Sequence, residues 1–509
     1  MKKLSALLIA AMICAAAVAQ SADEKPYLRS SIYTILLQSQ QENDKLDREI
    51  ENPNLVTAMV SAFKDVGKEI KGKSEDGEGK SDDTPAPTTI RSKVPQEEFM
   101  NIPIPAQYFD HNLSERVIKL DDFFSKLTPE EIESANVGFE KKKKSKFGSF
   151  MKSAGSAALG GDKSAIFAID TVSNQIPAAM EKYFAENNTA AQLLAKWFDY
   201  NTSNSPKWDL KLIGDRGFYN ASAQESAKAD ANGTTALLAQ DGFALINKTF
   251  VVGINLRFRS NKAIMAEAQA LADAAASMAG GIGVLASQVA GGITSLAVGN
   301  GYSVQANTFL YKLEWNDDLQ SRFADEIFDK DATLEDLVQS GICKLIPVGK
   351  AKESARVRQS ISNSRPESEL VRIATEQAID KALNKLQEKV EDFRTFTRIS
   401  GMGEGGVVYA KIGTKEGLSK NDEYEIVEEQ LNKKTNRIEF KPVCTVKVME
   451  KQIWENRAGV ARDINDFSEE DIKADNIDKD AIALGKTAFK GAKKGQDYTG
   501  YYLRLKKKK

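Results

Sequence analysis

Two segments of the chain alternate strictly between apolar and polar residues, and this pattern constrains the fold more than any other feature. A period of two is typical of a β-strand, whose successive side chains point to opposite faces of a sheet. The alternating apolar positions are Phe250, Val252, Ile254, Leu256 and Phe258 in residues 249–258, and Phe309, Tyr311, Leu313 and Trp315 in residues 302–315. Each segment therefore predicts a half-buried strand.

About forty residues separate these strands, far more than an ordinary hairpin loop contains. The insert, residues 262–301, has no charged side chain from Ala274 to its end. Its apolar stripe has spacings of three and four, as on one face of a helix: Ile282, Leu285, Val289, Ile293 and Leu296. Small residues around such a stripe let helices approach closely, in lipid or in protein. We expect either a membrane or oligomer contact, or a helical hairpin that covers its own sheet.

Helical patterns surround the two strands. Residues 128–131 (Thr-Pro-Glu-Glu) form a capping box, and a second capping box at residues 222–225 opens a helix that we expect to reach about Ile246. Before it, Trp208, Leu210 and Leu212 predict a further strand, which ends in a loop at residues 214–217. A long helix follows residue 364, with a buried stripe at Val371, Thr375, Ala378, Ala382, Leu386, Val390 and Phe393.

From residue 399 the chain consists of short strand patterns separated by turn residues, which indicates a small β-barrel or sandwich. The predicted class is α+β, an α/β central domain with a mixed sheet plus this C-terminal β domain. The predicted divisions are a signal peptide (1–19), an N-terminal segment (20–66), a disordered linker (67–97), the central α/β domain with its insert (98–350), a long connecting helix (351–398) and the C-terminal β domain (399–509).

The N-terminus has the pattern of a bacterial secretory signal. Lys2 and Lys3 precede an uncharged apolar run, and Ala17-Val-Ala19 offers the small residues of a cleavage site. We therefore expect an exported protein, in the periplasm or associated with the outer membrane. After cleavage two cysteines remain, Cys343 and Cys444, which either form one disulfide or stay as two buried thiols.

Composition narrows the chemistry. The 509 residues include 70 Lys and Arg against 72 Asp and Glu, a balance that argues against a nucleic-acid-binding protein. His111 is the single histidine, and we expect it to be a hydrogen-bonded structural residue. No catalytic group, metal site or cofactor is predicted. The one candidate ligand site is a polar loop at a strand end, formed by Asp215, Arg216 and Asn220, although the same residues also suit simple loop architecture.

Several segments together resemble an uncharacterised family of exported proteins from Bacteroides-type bacteria. They are residues 213–222, 250–258, 302–315 and 368–393 and the turn at 410–418. More distantly, the order of helix, strand, long insert and strand resembles the α/β domains of CsgG-like and TolB N-terminal-like envelope proteins. In CsgG-like secretion channels such an insert builds the membrane barrel, whereas the insert here has a helical, glycine-rich pattern.

Three functions follow as hypotheses. The first is a non-enzymatic cell-envelope scaffold or assembly protein, which binds protein partners in the envelope or further copies of itself. The second is a channel or membrane-anchoring component that inserts residues 262–301. The third is a ligand-binding or hydrolytic protein that uses the loop at Asp215 and Arg216.

Overall fold

A computed structural model describes residues 25–38, 94–139, 173–200, 208–220, 243–261, 301–359, 365–432, 437–463 and 477–508, and positions 469 and 472. The predicted signal peptide and the apolar stripe of the insert lie outside these residues, as do residues 67–93 of the predicted linker. Within them the chain has the α+β fold that its sequence predicts, with two sheets.

The strands are β1 (Tyr27–Leu28), β2 (Ser30–Gln38), β3 (Tyr108–Asp110), β4 (Val117–Lys119), β5 (Thr249–Ser260), β6 (Gly301–Leu313), β7 (Leu345–Arg358), β8 (Phe396–Arg398), β9 (Gly401–Gly403), β10 (Val407–Ala410), β11 (Glu423–Asn432), β12 (Arg437–Val448), β13 (Thr487–Lys490) and β14 (Tyr502–Lys507). The α-helices are α1 (Val94–Asn101), α2 (Asp121–Phe124), α3 (Pro129–Val137), α4 (Ile176–Glu186), α5 (Thr189–Trp197), α6 (Lys211–Asn220), α7 (Asp317–Phe323), α8 (Leu334–Ser340), α9 (Glu367–Lys389) and α10 (Val460–Asp463). A π-helical turn (Ala324–Phe328) follows α7, and short 3₁₀ turns lie at Glu391–Phe393, Glu450–Gln452 and Asp480–Leu484.

The central sheet has the order β3-β2-β5-β6-β7, with β4 also paired to β2. It is mixed, because β2 runs parallel to β3, β4 and β5, while β5, β6 and β7 are antiparallel neighbours. The predicted strands at 249–258 and 302–315 are thus confirmed as β5 and β6, and they pair directly with each other. Strand β2, from the N-terminal segment, lies inside the sheet beside β5.

Both faces of the central sheet are covered. On one face, Phe250, Val252 and Ile254 pack in the same cluster as Val371 and Leu386 of α9. On the other, β2 and β6 pack against α4, whose Met180 is fully buried. The expectation of half-buried strands is therefore wrong: the polar residues on the second face of β5 are buried, as are Ser303, Gln305 and Asn307 of β6. The alternating pattern therefore corresponds to two faces that are both buried, each in a different environment, and not to one core face and one solvent face.

The C-terminal sheet has the order β1-β8-β14-β11-β12-β13-β10-β9, and all of its pairs are antiparallel. Tyr27 of β1 and Met402 of β9 belong to opposite ends of this order, yet both pack in the same apolar cluster. The sheet therefore curves around one core, as expected for the residues after 399. Its first strand, however, comes from the N-terminus of the described chain.

Two helical predictions fare differently. The predicted stripe of α9 is confirmed as far as Leu386, since Val371, Thr375, Ala378, Ala382 and Leu386 are all fully buried. Its last two predicted members, Val390 and Phe393, lie beyond the end of the helix at Lys389, and Val390 is only partly buried. The helix is shorter than the range 351–398, because β7 continues to Arg358 as a strand paired along its length with β6. The capping box of α3 is present with both of its reciprocal hydrogen bonds, whereas the one at 222–225 lies outside the described residues.

The cover that α9 provides is testable by a leucine pair. We expect Leu386→Ala to lower the free energy of unfolding by about 2–5 kcal/mol, because it opens a cavity under a fully buried side chain. Leu484→Ala removes the same atoms from a position that is 36% exposed, and should cost below about 1 kcal/mol. Denaturant unfolding followed by circular dichroism measures both. Equal losses would contradict the assignment of α9 to the core.

Candidate functional site

A cavity of about 540 Å³ opens where the two sheets meet. The central-sheet side contributes Ser30, Lys248 and Trp315, and the C-terminal sheet contributes Phe396, Glu429 and Phe440. The rings of Phe396 and Phe440 lie 4.6 Å apart, so this wall is a paired aromatic surface. The lining combines apolar side chains with polar and charged ones, and a cavity of this size with such a lining can hold a small molecule.

The cavity lies where the chain crosses from one sheet to the other. Strand β1 belongs to the C-terminal sheet, Arg29 follows it, and β2 then enters the central sheet. Asn220, the last residue of α6, clamps this crossing. Its Oδ1 accepts from the Arg29 N–H at 3.0 Å, and its Nδ2 donates to the Arg29 carbonyl at 3.0 Å. Asn220 therefore lines the cavity, but both ends of its amide bind backbone.

Arg216, the second predicted ligand residue, is buried and fixed. Its Nη1 donates to Ser31 Oγ at 2.9 Å and contacts Nδ1 of His111 at 2.7 Å, and its Nη2 donates to the Asp110 carbonyl at 2.8 Å. The guanidinium also lies over the Trp197 ring, 4.5 Å from its centre. These contacts tie α6 to the edge of the central sheet. Burial lowers the pKa of Arg216 to about 10, which leaves it charged at neutral pH.

His111 completes this cluster as a neutral residue. It is fully buried, and its Nε2 lies 2.9 Å from the Leu193 carbonyl. Because arginine can only donate, Nδ1 is the acceptor and Nε2 carries the proton. Burial, and then the charge of Arg216, hold the pKa of His111 well below its ordinary value. The expectation of a hydrogen-bonded structural histidine is confirmed.

The three predicted ligand residues do not form one site. Asp215 is exposed, Arg216 is buried in the cluster with His111, and Asn220 binds the crossing strand. The predicted strand at 208–212 and loop at 214–217 are wrong, because α6 runs through residues 211–220. Gly214 and Gly217 are weak helix formers, and the buried contacts of Arg216 outweigh that preference.

The charged residues near the cavity are largely engaged with one another. Lys248 Nζ donates to the Asp392 carbonyl at 3.1 Å, and Lys312 pairs with the Asp392 carboxylate at 2.8 Å. Burial is the main cause that lowers the pKa of Lys248. Across the cavity, Glu429 accepts from the Tyr502 hydroxyl at 3.3 Å. These contacts hold the charged side chains in place around the cavity.

The two cysteines are free thiols in the structure. Cys343 packs beside the apolar cluster of α5, α7 and α8, and burial raises its thiol pKa to about 12. Cys444 packs beside the core of the C-terminal sheet, where its Sγ lies 3.8 Å from the Tyr498 hydroxyl. The structure thus has separate thiols, and both are partly buried rather than fully buried as the second alternative expected. Within the described ranges, no group of three His, Cys, Asp or Glu side chains could hold a metal ion.

The predicted contact residues of the insert, Ile282, Leu285, Val289, Ile293 and Leu296, lie outside the described residues. Among the helices that the structure describes, none combines the length and apolar character needed to cross a membrane.

The cavity could not be predicted from the sequence. Its walls come from segments far apart in the chain, including Ser30, Lys248, Trp315, Arg394 and Phe440. Trp315 was visible only as the last apolar position of a strand pattern, and no local motif joins it to the others. Comparison with known protein families and with curated proteins finds no match for this chain.

The state of His111 is directly measurable, because the chain has one histidine. We expect its NMR signals in the folded protein, without a histidine tag, to remain those of the neutral Nε2–H form well below pH 6.5. In the unfolded chain the same residue should titrate near about pH 6.5. Titration of the folded protein at the unfolded value would contradict the buried cluster.

Stability should follow the same titration. Below about pH 6.5 the unfolded chain binds a proton at His111 that the folded chain does not. The contribution of His111 to the free energy of unfolding is therefore fully present above that pH, and falls with decreasing pH by at most about 1.4 kcal/mol per pH unit. His111→Gln should remove this part of the slope in denaturant unfolding measured from pH 7 to pH 5.

Proposed function

We propose that this protein is a non-enzymatic, exported scaffold or assembly protein of the cell envelope, periplasmic or associated with the outer membrane. The observation that supports this best is the coupling of the two sheets through a shared segment. Residues 27–38 pair with β8 in one sheet and with β3, β4 and β5 in the other. A segment committed to both sheets keeps them in a fixed relative position, as a scaffold requires.

A second contact supports the same reading. Helix α9, which covers the central sheet, presents Glu376 and Asp380 to Lys415 in the turn before β11. Lys415 Nζ lies 2.9 Å from Glu376 Oε1 and 3.7 Å from Asp380 Oδ2. Beside it, Asn384 Nδ2 donates to the Lys415 carbonyl at 2.8 Å. Burial raises the pKa of Asp380 to about 7, although Lys415 opposes this shift. The ion cluster therefore joins the helix to the C-terminal sheet.

Such an arrangement has a use in assembly. Two surfaces held at a constant distance can bind two partners, or two copies of this chain, in one geometry. The preorganised scaffold then loses less conformational freedom on binding than a pair of domains on a flexible linker would.

This proposal is tested by a matched pair of lysine variants in cells. Lys415→Met leaves two buried carboxylates without their shared cation, and should lower the free energy of unfolding by about 1–3 kcal/mol. Lys420→Met removes a lysine whose ion pair with Glu450 is 63% exposed on both sides, and should be close to neutral. Cross-linking in intact cells, followed by purification, should give discrete adducts for the wild type and Lys420→Met and fewer for Lys415→Met.

Each variant lacks one lysine, so the number of amines available to an amine-reactive cross-linker is the same in both. A wild-type protein that yields only monomer from the envelope would overturn the scaffold proposal. Retention of all adducts by a destabilised Lys415→Met would show that partners do not depend on the fixed arrangement of the sheets.

A membrane-anchoring role is the second candidate, and the pairing of β5 with β6 favours it. Ser260 pairs with Tyr302, so the connecting residues leave the sheet at one end of this strand pair. That end is roughly 40 Å along the strand from Lys248 and the cavity, given a rise of about 3.3 Å per residue. A membrane attached there would leave the junction of the sheets accessible.

The strand pairing supplies a clean deletion. Removal of residues 262–300 joins Asn261 to Gly301 between the paired Ser260 and Tyr302, and Asn-Gly is a favoured two-residue hairpin turn. If the insert anchors the protein, the full chain should float with liposomes after a high-salt wash and the deletion variant should stay at the bottom. Equal behaviour of two folded proteins would exclude anchoring by this segment.

A further inference from the structure

One buried donor belongs to a residue that lines the cavity between the two sheets, which we call the junction cavity. Trp315 lines the cavity and is 5% exposed. Its indole Nε1 is buried and donates to no acceptor in the part of the chain that the structure describes. A buried N–H without an acceptor costs free energy, so tryptophans in such positions usually find a partner. A small rotation of the indole toward the cavity would let an oxygen atom of a bound molecule accept this hydrogen bond.

The surroundings of Trp315 define the rest of that molecule. Phe243, Phe396 and Phe440 line the cavity and offer apolar surface to a hydrocarbon or aromatic body. Arg394 also reaches the cavity. Its Nε donates to the Gln387 carbonyl at 3.2 Å, and its Nη1 lies 4.0 Å from Glu391, a carboxylate that is 73% exposed and strongly hydrated. Glu391 therefore neutralises Arg394 only weakly, and the guanidinium can attract a second anion.

The net charge of the cavity lining favours an anionic ligand. Three basic residues, Arg29, Lys248 and Arg394, line the cavity against two acidic ones. Of the acids, Glu429 accepts from Tyr502, and Asp317 is exposed in the first turn of α7, where the helix dipole stabilises it. The basic residues thus exceed the acidic ones in number, and since Lys248 is already engaged with Asp392, Arg29 and Arg394 are the bases left to meet a ligand.

We propose that the junction cavity binds an amphipathic carboxylate, such as a fatty acid, with its apolar body against the phenylalanine wall and its carboxylate between Trp315 Nε1 and Arg394. This inference goes beyond the scaffold proposal and does not rest on it. Ligand binding is measured on the purified chain, whereas the scaffold proposal is measured by cross-linking in cells, so either can fail alone.

The test uses dodecanoate and its uncharged analogue dodecanol, both below their aggregation concentrations and at pH 8. Calorimetric titration of the full chain should show saturable binding of dodecanoate, at least tenfold tighter than dodecanol. Trp315→Phe keeps the aromatic body and removes the donor, and should weaken dodecanoate binding about tenfold. Trp454→Phe changes a tryptophan outside the cavity lining and should leave the affinity unchanged.

A second variant keeps the proposal testable if Trp315→Phe does not fold. Arg394→Gln should weaken dodecanoate binding about tenfold and leave dodecanol binding within twofold of the wild type. Absence of binding by the wild type, equal affinity for dodecanoate and dodecanol, or an unchanged affinity in folded Trp315→Phe and Arg394→Gln would each overturn the proposal.

Discussion

The fold depends on a central sheet that is covered on both faces. Strand β2 has no exposed residue, and its neighbour β5 buries an aromatic and aliphatic row beneath α9. A sheet whose two faces both carry apolar side chains must pack against other elements on both sides. Helix α9 supplies one cover and α4 the other, and the position of α9 then determines where the C-terminal sheet is held. The ion cluster at Lys415 and the crossing strand complete that attachment.

Much of this arrangement was readable in the sequence, but one regularity was misleading. The alternation in β5 and β6 correctly identified two strands, and it suggested a polar face toward water. The structure buries that face: Arg257 Nη1 donates to Gln305 Oε1 at 3.2 Å, and Asn255 Nδ2 donates to the Leu37 carbonyl at 3.2 Å. Buried polar residues that form hydrogen bonds within the sheet have the same spacing as polar residues that face solvent. A periodicity cannot distinguish the two.

Helix α6 and the junction cavity escaped prediction because their causes are not local. Two glycines and an aspartate in residues 214–217 indicate a loop, yet the contacts of Arg216 with His111 and Ser31 hold the segment as a helix. These partners lie 105 and 185 residues away in the chain, respectively. The cavity is assembled in the same way, from the crossing strand, the start of β5, the end of β6 and two strands of the other sheet. By contrast, α9 carries its own periodicity and was visible at once.

The path of residues 27–38 also affects how the protein can acquire its structure. Tyr27 donates to Glu416, 389 residues further along, and the carbonyl of Leu37 accepts from Asn255 across 218 residues. A chain with such distant pairings has a high contact order. It loses the entropy of closing long loops before the contacts that those loops allow can stabilise it. Strand β2 is therefore synthesised early but cannot pair with β5 until that strand, more than 200 residues later, has been synthesised. During that interval its unpaired edges are open to misassociation, and a chaperone that shields this strand would have its greatest effect there.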